Sequence, residues 1–432
     1  MTRWVSAEQR PLAGLITGQV CLHSAMAGLR LATPLMLLQS GGFLGLSPAA
    51  SAGVMVALFA MAPVLTSMHV GRWVDRRGYH EPVRAAVVMS LLGGLLALPS
   101  AWLDAAGAWD VLRTLLLAAG ATLLGTAANL TQICGQRTAA RLAALAGPAH
   151  GVPADSAEAA RQHNEIIKRM FSWQGLAAPL SNMIGPMLAG ACIDLGGFTS
   201  AYAVIAVLPL ATLAFMRWVP REQGLREQRE QAAATPRPGL LQSARELLAL
   251  PGMGRLLLIN WCFSTSWDLF SFLVPLHGHG LGLSASAIGS VLGMFAFMVA
   301  VSRLVLPVLA RGRSEASVIT LCYVVTAAMF VLYPHTRHAW QMLVLAAPIG
   351  LALGAVQPMV MTALHHLTPA DRHGEAIALR SACISLSSAV LPMCYGVLGG
   401  VLGGAFLFRG MAVVLLVGAR LPSRLRLPKF EA

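Results

Sequence analysis

Apolar residues in this chain run on in long blocks, interrupted at intervals by short clusters of charge, glycine and proline. Between those breaks the blocks cover 13–38, 48–70, 84–103, 112–136, 170–194, 199–218, 254–277, 286–309, 316–334, 339–364, 378–400 and 405–420. A helix needs about 20 mainly apolar residues to cross the hydrocarbon of a bilayer. No block alternates apolar and polar residues with a period of two, so strands are not indicated. Within a bilayer only helices and closed barrels satisfy every backbone N–H and C=O. The pattern therefore predicts an all-α integral membrane protein with twelve transmembrane helices. The first block runs on into a full span with no small-residue cleavage site, so it reads as a helix and not as a removable leader.

Composition removes the soluble alternatives. Hydrophobic residues make up 56% of the 432 positions and charged residues 11%, against about 25% charged in a soluble domain. So few charges would not solvate the surfaces of two or three soluble domains. The basic residues are unevenly placed. With both termini in a bacterial cytoplasm, all of the 31 lysines and arginines except Arg30, Arg113, Arg303, Arg337 and Arg409 fall at cytoplasmic ends or in cytoplasmic loops. That is a strong positive-inside bias. It predicts an inner-membrane, multi-pass protein whose net charge of +13 meets anionic lipid heads. No segment is long enough to gather the charge on a folded soluble surface, so no nucleic-acid partner is expected. Trp102, Trp109, Trp218 and Trp340 fall near block ends, where interfacial tryptophans belong.

The seven cysteines lie in or at the edge of apolar blocks without a Cys-x-x-Cys pair, which suits packing better than disulfides or metal. His277-x-His279 and His365-His366 sit at block ends with no third ligand, so neither a metal nor a cofactor is expected. There is no Gly-x-Ser-x-Gly and no Walker loop, which argues against an enzyme and against a self-contained primary pump.

The chain also repeats itself. "LGLS" occurs at 44–47 and again at 281–284, an offset of 237 residues. "LSNMIGPMLAG" at 180–190 is echoed by "LSSAVLPMCYG" at 386–396, matching at Leu180/Leu386, Ser181/Ser387, Pro186/Pro392, Met187/Met393 and Gly190/Gly396. The echoes place spans one to six against seven to twelve in the same orientation. They divide the chain into an N-terminal half (1–218), a charged, Pro- and Gly-rich cytoplasmic linker with some amphipathic helix (219–252), and a C-terminal half (253–432).

Behind the second block stands "GRWVDRRGYHEP". Its Gly71-x-x-x-Asp75-Arg76-x-Gly78 resembles the loop signature of the major facilitator superfamily of secondary transporters. Gly185-Pro186-x-x-x-Gly190 in span five resembles that superfamily's antiporter-associated motif. The resemblance covers the whole chain: twelve spans, two parallel halves and a central linker. It implies alternating access by rocking of the halves, and the Gly-Pro motif implies proton-driven export of a small amphipathic organic compound. Gly71 suits close packing of a helix end, and Asp75 suits acceptance of hydrogen bonds at a helix N-terminus, so the loop reads as a cytoplasmic latch. Three departures stand out. Tyr79 and His80 replace two usual basic residues, "LARGRSE" at 309–315 has no aspartate, and span four lacks Arg-x-x-Gln-Gly. The family's proton-relay arginine is therefore not carried over.

Of the eighteen acidic residues, Asp268 alone lies well inside a block. Asn260, Ser264, Asp268, Ser271 and Pro275 share one helix face by their spacing of three and four. Span one carries a matching stripe of Gln19, His23, Arg30 and Thr33, with Arg30 its only internal charge. In the repeat Arg30 falls opposite Trp267. An ionisable residue within a membrane is a functional candidate, and three roles stay open for the pair: Asp268 as proton site, Arg30–Asp268 as a gate, or a permanent structural pair. Asn129, Gln132, Gln174 and Gln357 are further candidates for a cavity lining, although such residues serve equally as interhelical glue. A small-molecule substrate, protons and lipid are the expected partners of a monomer. Proton-coupled uptake of an organic anion, with Arg30 as a carboxylate clamp, and a non-transporting sensor are the alternatives.

Overall fold

The computed structural model describes residues 10–103, 107–145, 170, 173–221, 240–309, 314–369 and 372–424. The described residues form a helical bundle: α1 Arg10–Ser40, α2 Pro48–Arg77, α3 His80–Ala97, α4 Gly107–Leu145, α5 Ala177–Val207, the linker helix α6 Leu240–Leu248, α7 Met253–Gly280, α8 Ala285–Leu309, α9 Glu315–Leu332, α10 Ala339–Leu367, α11 His373–Leu402 and α12 Gly404–Gly418. Ten helices among the described residues are long and apolar enough to cross a membrane. The count differs from twelve for two physical reasons. The expected fifth and sixth spans run together through Ala177–Met216 over 40 residues, broken at Gly196 and Gly197, where the backbone leaves the helical region. The last helix, α12, has 15 residues, fewer than a full crossing takes.

The "LGLS" echo has a backbone cause. Gly45 and Gly282, equivalent in the two copies, have φ of 75° and 71°, a left-handed conformation that glycine adopts without steric cost. Each turn then delivers a serine N-cap. Ser47 Oγ accepts from the Ala50 amide at the start of α2 (3.3 Å), and Ser284 Oγ accepts from Ala287 at the start of α8 (3.2 Å). Such caps satisfy amides that a helix start leaves unpaired. The first of these loops is also held by α4. Arg113, buried at 2% exposure, donates to the Gly42 carbonyl at 2.6 Å and lies 3.4 Å from Asp110. Asp110 in turn accepts from the Leu44 amide at 2.9 Å.

Helices α5 and α8 form one seam between the halves, and α2 and α11 form the other. Each is closed by glycines. A Cβ on Gly289 of α8 would lie 2.3 Å from the Pro186 carbonyl oxygen, and one on Gly53 of α2 would lie 2.3 Å from that of Pro392. From the facing helices, a Cβ on Gly190 would lie 2.3 Å from the Ala285 oxygen and one on Gly396 2.5 Å from that of Ala49. Small residues let membrane helices touch backbone to backbone. The Pro186/Pro392 and Gly190/Gly396 echo is thus a pair of equivalent seams. Both contacts lie towards the end of the bundle that carries loops 41–47 and 281–284, here termed the far end. At the opposite, linker end, Glu246 of α6 pairs with Arg372 at 3.0 Å, which also pairs with Glu375 at 2.9 Å. Glu375 foremost, with Glu246, holds the Arg372 guanidinium above its ordinary range.

Candidate substrate site and its seams

Arg30 and Asp268 face each other across the two halves. Arg30 Nη2 lies 4.0 Å from Asp268 Oδ1, with the Arg30 side chain 27% exposed and that of Asp268 7%. Ser388 Oγ of α11 donates to Asp268 Oδ2 at 2.6 Å. The Arg30 guanidinium sits 5.8 Å from the Phe59 ring centroid of α2, within cation–π range. Beside the pair lies a small cleft of about 50 Å³ whose lining includes Arg30, Asn182, Trp267, Ser271, Phe272 and Leu292. Its apolar wall with a few convergent polar groups has the make-up of a small-molecule site. Trp267 packs edge-on against Phe295 of α8 at 4.6 Å.

The predicted face of α7 holds together. Asn260 and Asp268 are both buried, with Ser264 half-buried between them. Asn260 Oδ1 accepts from Arg380 Nε of α11 at 2.9 Å. Most of the N-terminal candidates sit elsewhere. His23 Nε2 hydrogen-bonds the Ala128 carbonyl at 3.0 Å, Gln174 donates to Gln19, and Asn129 donates to Ser67 Oγ at 2.9 Å. These bonds tie α1, α2 and α4 to each other and α1 to the segment before α5, away from the cleft. Gln132 and Gln357 are exposed on α4 and α10.

The Gly71–Gly78 signature is placed in helix and not in loop. α2 continues through Arg77, and Gly78 caps it with φ 71° and its amide on the Val74 carbonyl. A Cβ on Gly71 would meet nothing within 4 Å, so this glycine is not a close-packing position here. Arg76 is exposed, Arg77 pairs with Glu81 at 3.1 Å, and the Asp75 side chain lies outside the described residues. Gly185 packs on α1, where an added Cβ would lie 2.4 Å from the Ser24 oxygen. Pro186 and Gly190 form the α5 side of the seam described above.

Two participants were not singled out from the sequence. Ser388 occupies in the C-terminal repeat the place that Asn182 holds in the N-terminal one, and both reach the centre. That echo was the available signal. Asp194, at the far end of α5, accepts from the Ala285 and Ser286 amides at the start of α8 at 3.0 and 2.8 Å. The Ser284 and Ser286 hydroxyls join these amides, and backbone partners leave no sequence trace.

The comparisons agree with this architecture. The family model of the Major Facilitator Superfamily matches residues 163–392 and 256–429. No curated protein matches the chain. Among solved structures, a POT family transporter in complex with thioalcohol conjugated peptide is similar with a TM-score of 0.62, 14% identity, and coverage of 96% of this chain and 97% of that one. A POT family transporter in complex with 5-aminolevulinic acid gives a TM-score of 0.65 at 14% identity over 95% of each chain. At that identity the likeness is one of fold. A family match over more than half the chain, on a bundle of membrane-length helices around a cleft between two halves, shows that this protein is a transporter of the major facilitator superfamily.

Proposed function

We propose that this protein is a proton-coupled secondary transporter that exports a small amphipathic organic molecule from a bacterial cytoplasm by alternating access, working as a monomer with both termini inside. The observation that carries the reading is the Arg30–Asp268 pair at 4.0 Å between the halves, beside the cleft. With the linker end cytoplasmic, the glycine seams shut the outer end, and substrate enters from the cytoplasm. Asp268 has two alternative partners for its charge, Arg30 and a proton. When Asp268 takes a proton from outside, the attraction that holds α1 to α7 is removed. When it releases the proton inward, the pair re-forms. Ser388 holds the carboxylate in place through both steps. In the outward-open state the Gly71–Gly78 segment, with Asp75 as acceptor and Arg76 at the lipid surface, latches the cytoplasmic end. Domain boundaries follow the repeat, with the halves at 1–218 and 253–432.

One observation favours a second reading. A separation of 4.0 Å is beyond hydrogen-bond reach, and the Arg30 side chain retains exposure, so its fork is open to a substrate carboxylate. Proton-coupled uptake of an organic anion uses the same residues, with the proton on Asp268 and the anion on Arg30 carried inward in the same stroke. The test is accumulation of a diverse compound panel in an efflux-deficient bacterium expressing wild type or Asp268→Asn at matched levels, with and without a protonophore. Lower accumulation in wild type alone, abolished by the protonophore, supports export. Raised accumulation of carboxylates alone moves the assignment to uptake, and no change across the panel overturns both.

A further inference from the structure

Three helices step from the central layer towards the linker end by the same interval. Asn260 lies eight residues before Asp268 on α7, Arg380 eight before Ser388 on α11, and Arg303 eight after Phe295 on α8. At about 1.5 Å per residue this puts all three about 12 Å from the Arg30–Asp268 level. Asn260 and Arg303 point around their helices as cleft residues do, and Arg380 reaches Asn260. Asn260 and Ser271, like Arg303 and Leu292, are eleven residues apart, close to three full turns, and both Ser271 and Leu292 line the cleft.

This layer contains cation without counter-charge. Among the described residues neither Arg303 nor Arg380 has an ion-pair partner, and the only recorded acceptor for Arg380 is the neutral Asn260 amide at 2.9 Å. Asn260 is 4% exposed. Its Nδ2 and the Nε of Arg303 are buried donors with no hydrogen-bond partner. Donors left unmatched in a buried layer are costly, and arginine forks match planar oxyanions. We propose that Arg303, Arg380 and Asn260 form a second oxyanion station, which binds the carboxylate of an organic anion on the cytoplasmic side of the central pair. As part of a transport path it rests on the alternating-access reading above. As a binding site it stands on the layer itself. An anionic lipid headgroup offers the same oxyanion chemistry to these donors, and the experiment separates the two sources.

Wild type, Arg303→Gln, Arg380→Gln and the charge-retaining Arg303→Lys are reconstituted in phosphatidylcholine nanodiscs. They are titrated with 2-naphthoate and with neutral 2-naphthamide, read by intrinsic tryptophan fluorescence. The expected result is about tenfold tighter binding of naphthoate than of the amide, the scale of a charge-assisted hydrogen bond. Each glutamine variant loses about tenfold for naphthoate and nothing for the amide, while Arg303→Lys, which keeps the charge without the fork, loses less than Arg303→Gln. A drop in naphthoate affinity on exchange to phosphatidylglycerol, seen in wild type and absent from both glutamine variants, supports the station with lipid as its source. Insensitivity to that exchange supports a soluble anion. Wild-type affinity for naphthoate in both glutamine variants, or no preference for naphthoate over the amide in wild type, overturns the station. Binding that behaves as expected without flux in the compound panel overturns the transport reading alone.

Discussion

The two halves bring equivalent positions to the cleft and fill them with different chemistry. In the N-terminal half Arg30 lies over Phe59, with Asn182 in the cleft wall. In the C-terminal half Trp267 lies against Phe295, with Ser388 nearby on Asp268. Arg30 and Trp267 are 237 residues apart, and Phe59 and Phe295 are 236 apart, so the scaffold is one geometry used twice. Guanidinium is answered by indole, and the carboxylate has been placed one position further on. An ion pair between the two halves must take one charge from each, and divergence at equivalent sites supplies that asymmetry. The seams show a second difference. At α5–α8 Asp194 bonds the first amides of α8. At the corresponding place on α11 stands Gly400, where an added Cβ would lie 3.0 Å from Ser47 Oγ.

The sharpest way to break the comparison is at the carboxylate. Asp268→Asn keeps the shape and removes the charge, and proton-driven flux in proteoliposomes is expected to fall at least about a hundredfold, since an ion pair at this depth is left with an unmatched partner. The double swap Arg30→Asp with Asp268→Arg is expected to restore folding, read by gel filtration, but not flux, because Ser388 and Phe59 then face the wrong groups. Swap protein with full activity would sink the assignment of distinct roles to the halves.

At the seams, Gly289→Leu and Gly53→Leu drive side chains into carbonyls of the opposite half. Both are expected to expose the far end several-fold more to a membrane-impermeant maleimide, read at a cysteine replacing the buried Phe43 in a cysteine-free background. Equal effects preserve the equivalence of the seams, whereas labelling unchanged in both would show that these glycines do not hold the halves together. A milder change is Asp194→Asn, which removes the charge that favours the α8 N-terminus. The expected shift is about threefold to tenfold towards far-end labelling, the scale of a carboxylate on a helix dipole, and Gly400→Asp is expected to shift labelling the other way. The smallest effect belongs to Phe59→Leu, with about a threefold weaker substrate KM from loss of a cation–π contact and unchanged labelling.

The order of helices and the doubling of the chain were legible because bilayer thickness imposes a run length and a repeated turn imposes glycine and serine. The join of α5 to the helix after it was not, since Gly196–Gly197 breaks geometry without interrupting hydrophobicity. Arg30 and Asp268 were legible as charges in apolar runs. Gln19, His23 and Gln174 shared that signal, yet they bond neighbouring helices, because sequence polarity marks a need for partners without saying whether a helix or a ligand supplies them. Ser388 and Asp194 passed unnoticed for opposite reasons. A serine in a helix is ordinary, and a carboxylate at a span end looks solvated until the facing amides are seen.

Under the proposed export cycle, the Arg30–Asp268 contact also decides what the transmembrane voltage can act upon. In the outward stroke of that cycle Asp268 is ionised and the pair sums to zero, so a neutral cargo leaves without moving charge. Protonated, the same layer carries one positive charge, on which 100 mV does about 2.3 kcal/mol of work if it crosses the whole field. A carboxylate seated on Arg30 during the outward stroke gives the layer one negative charge, which the inside-negative potential also drives outward. The proposed cycle then moves one charge for a neutral cargo and two for an anion, so the accompanying current depends on the cargo bound at Arg30.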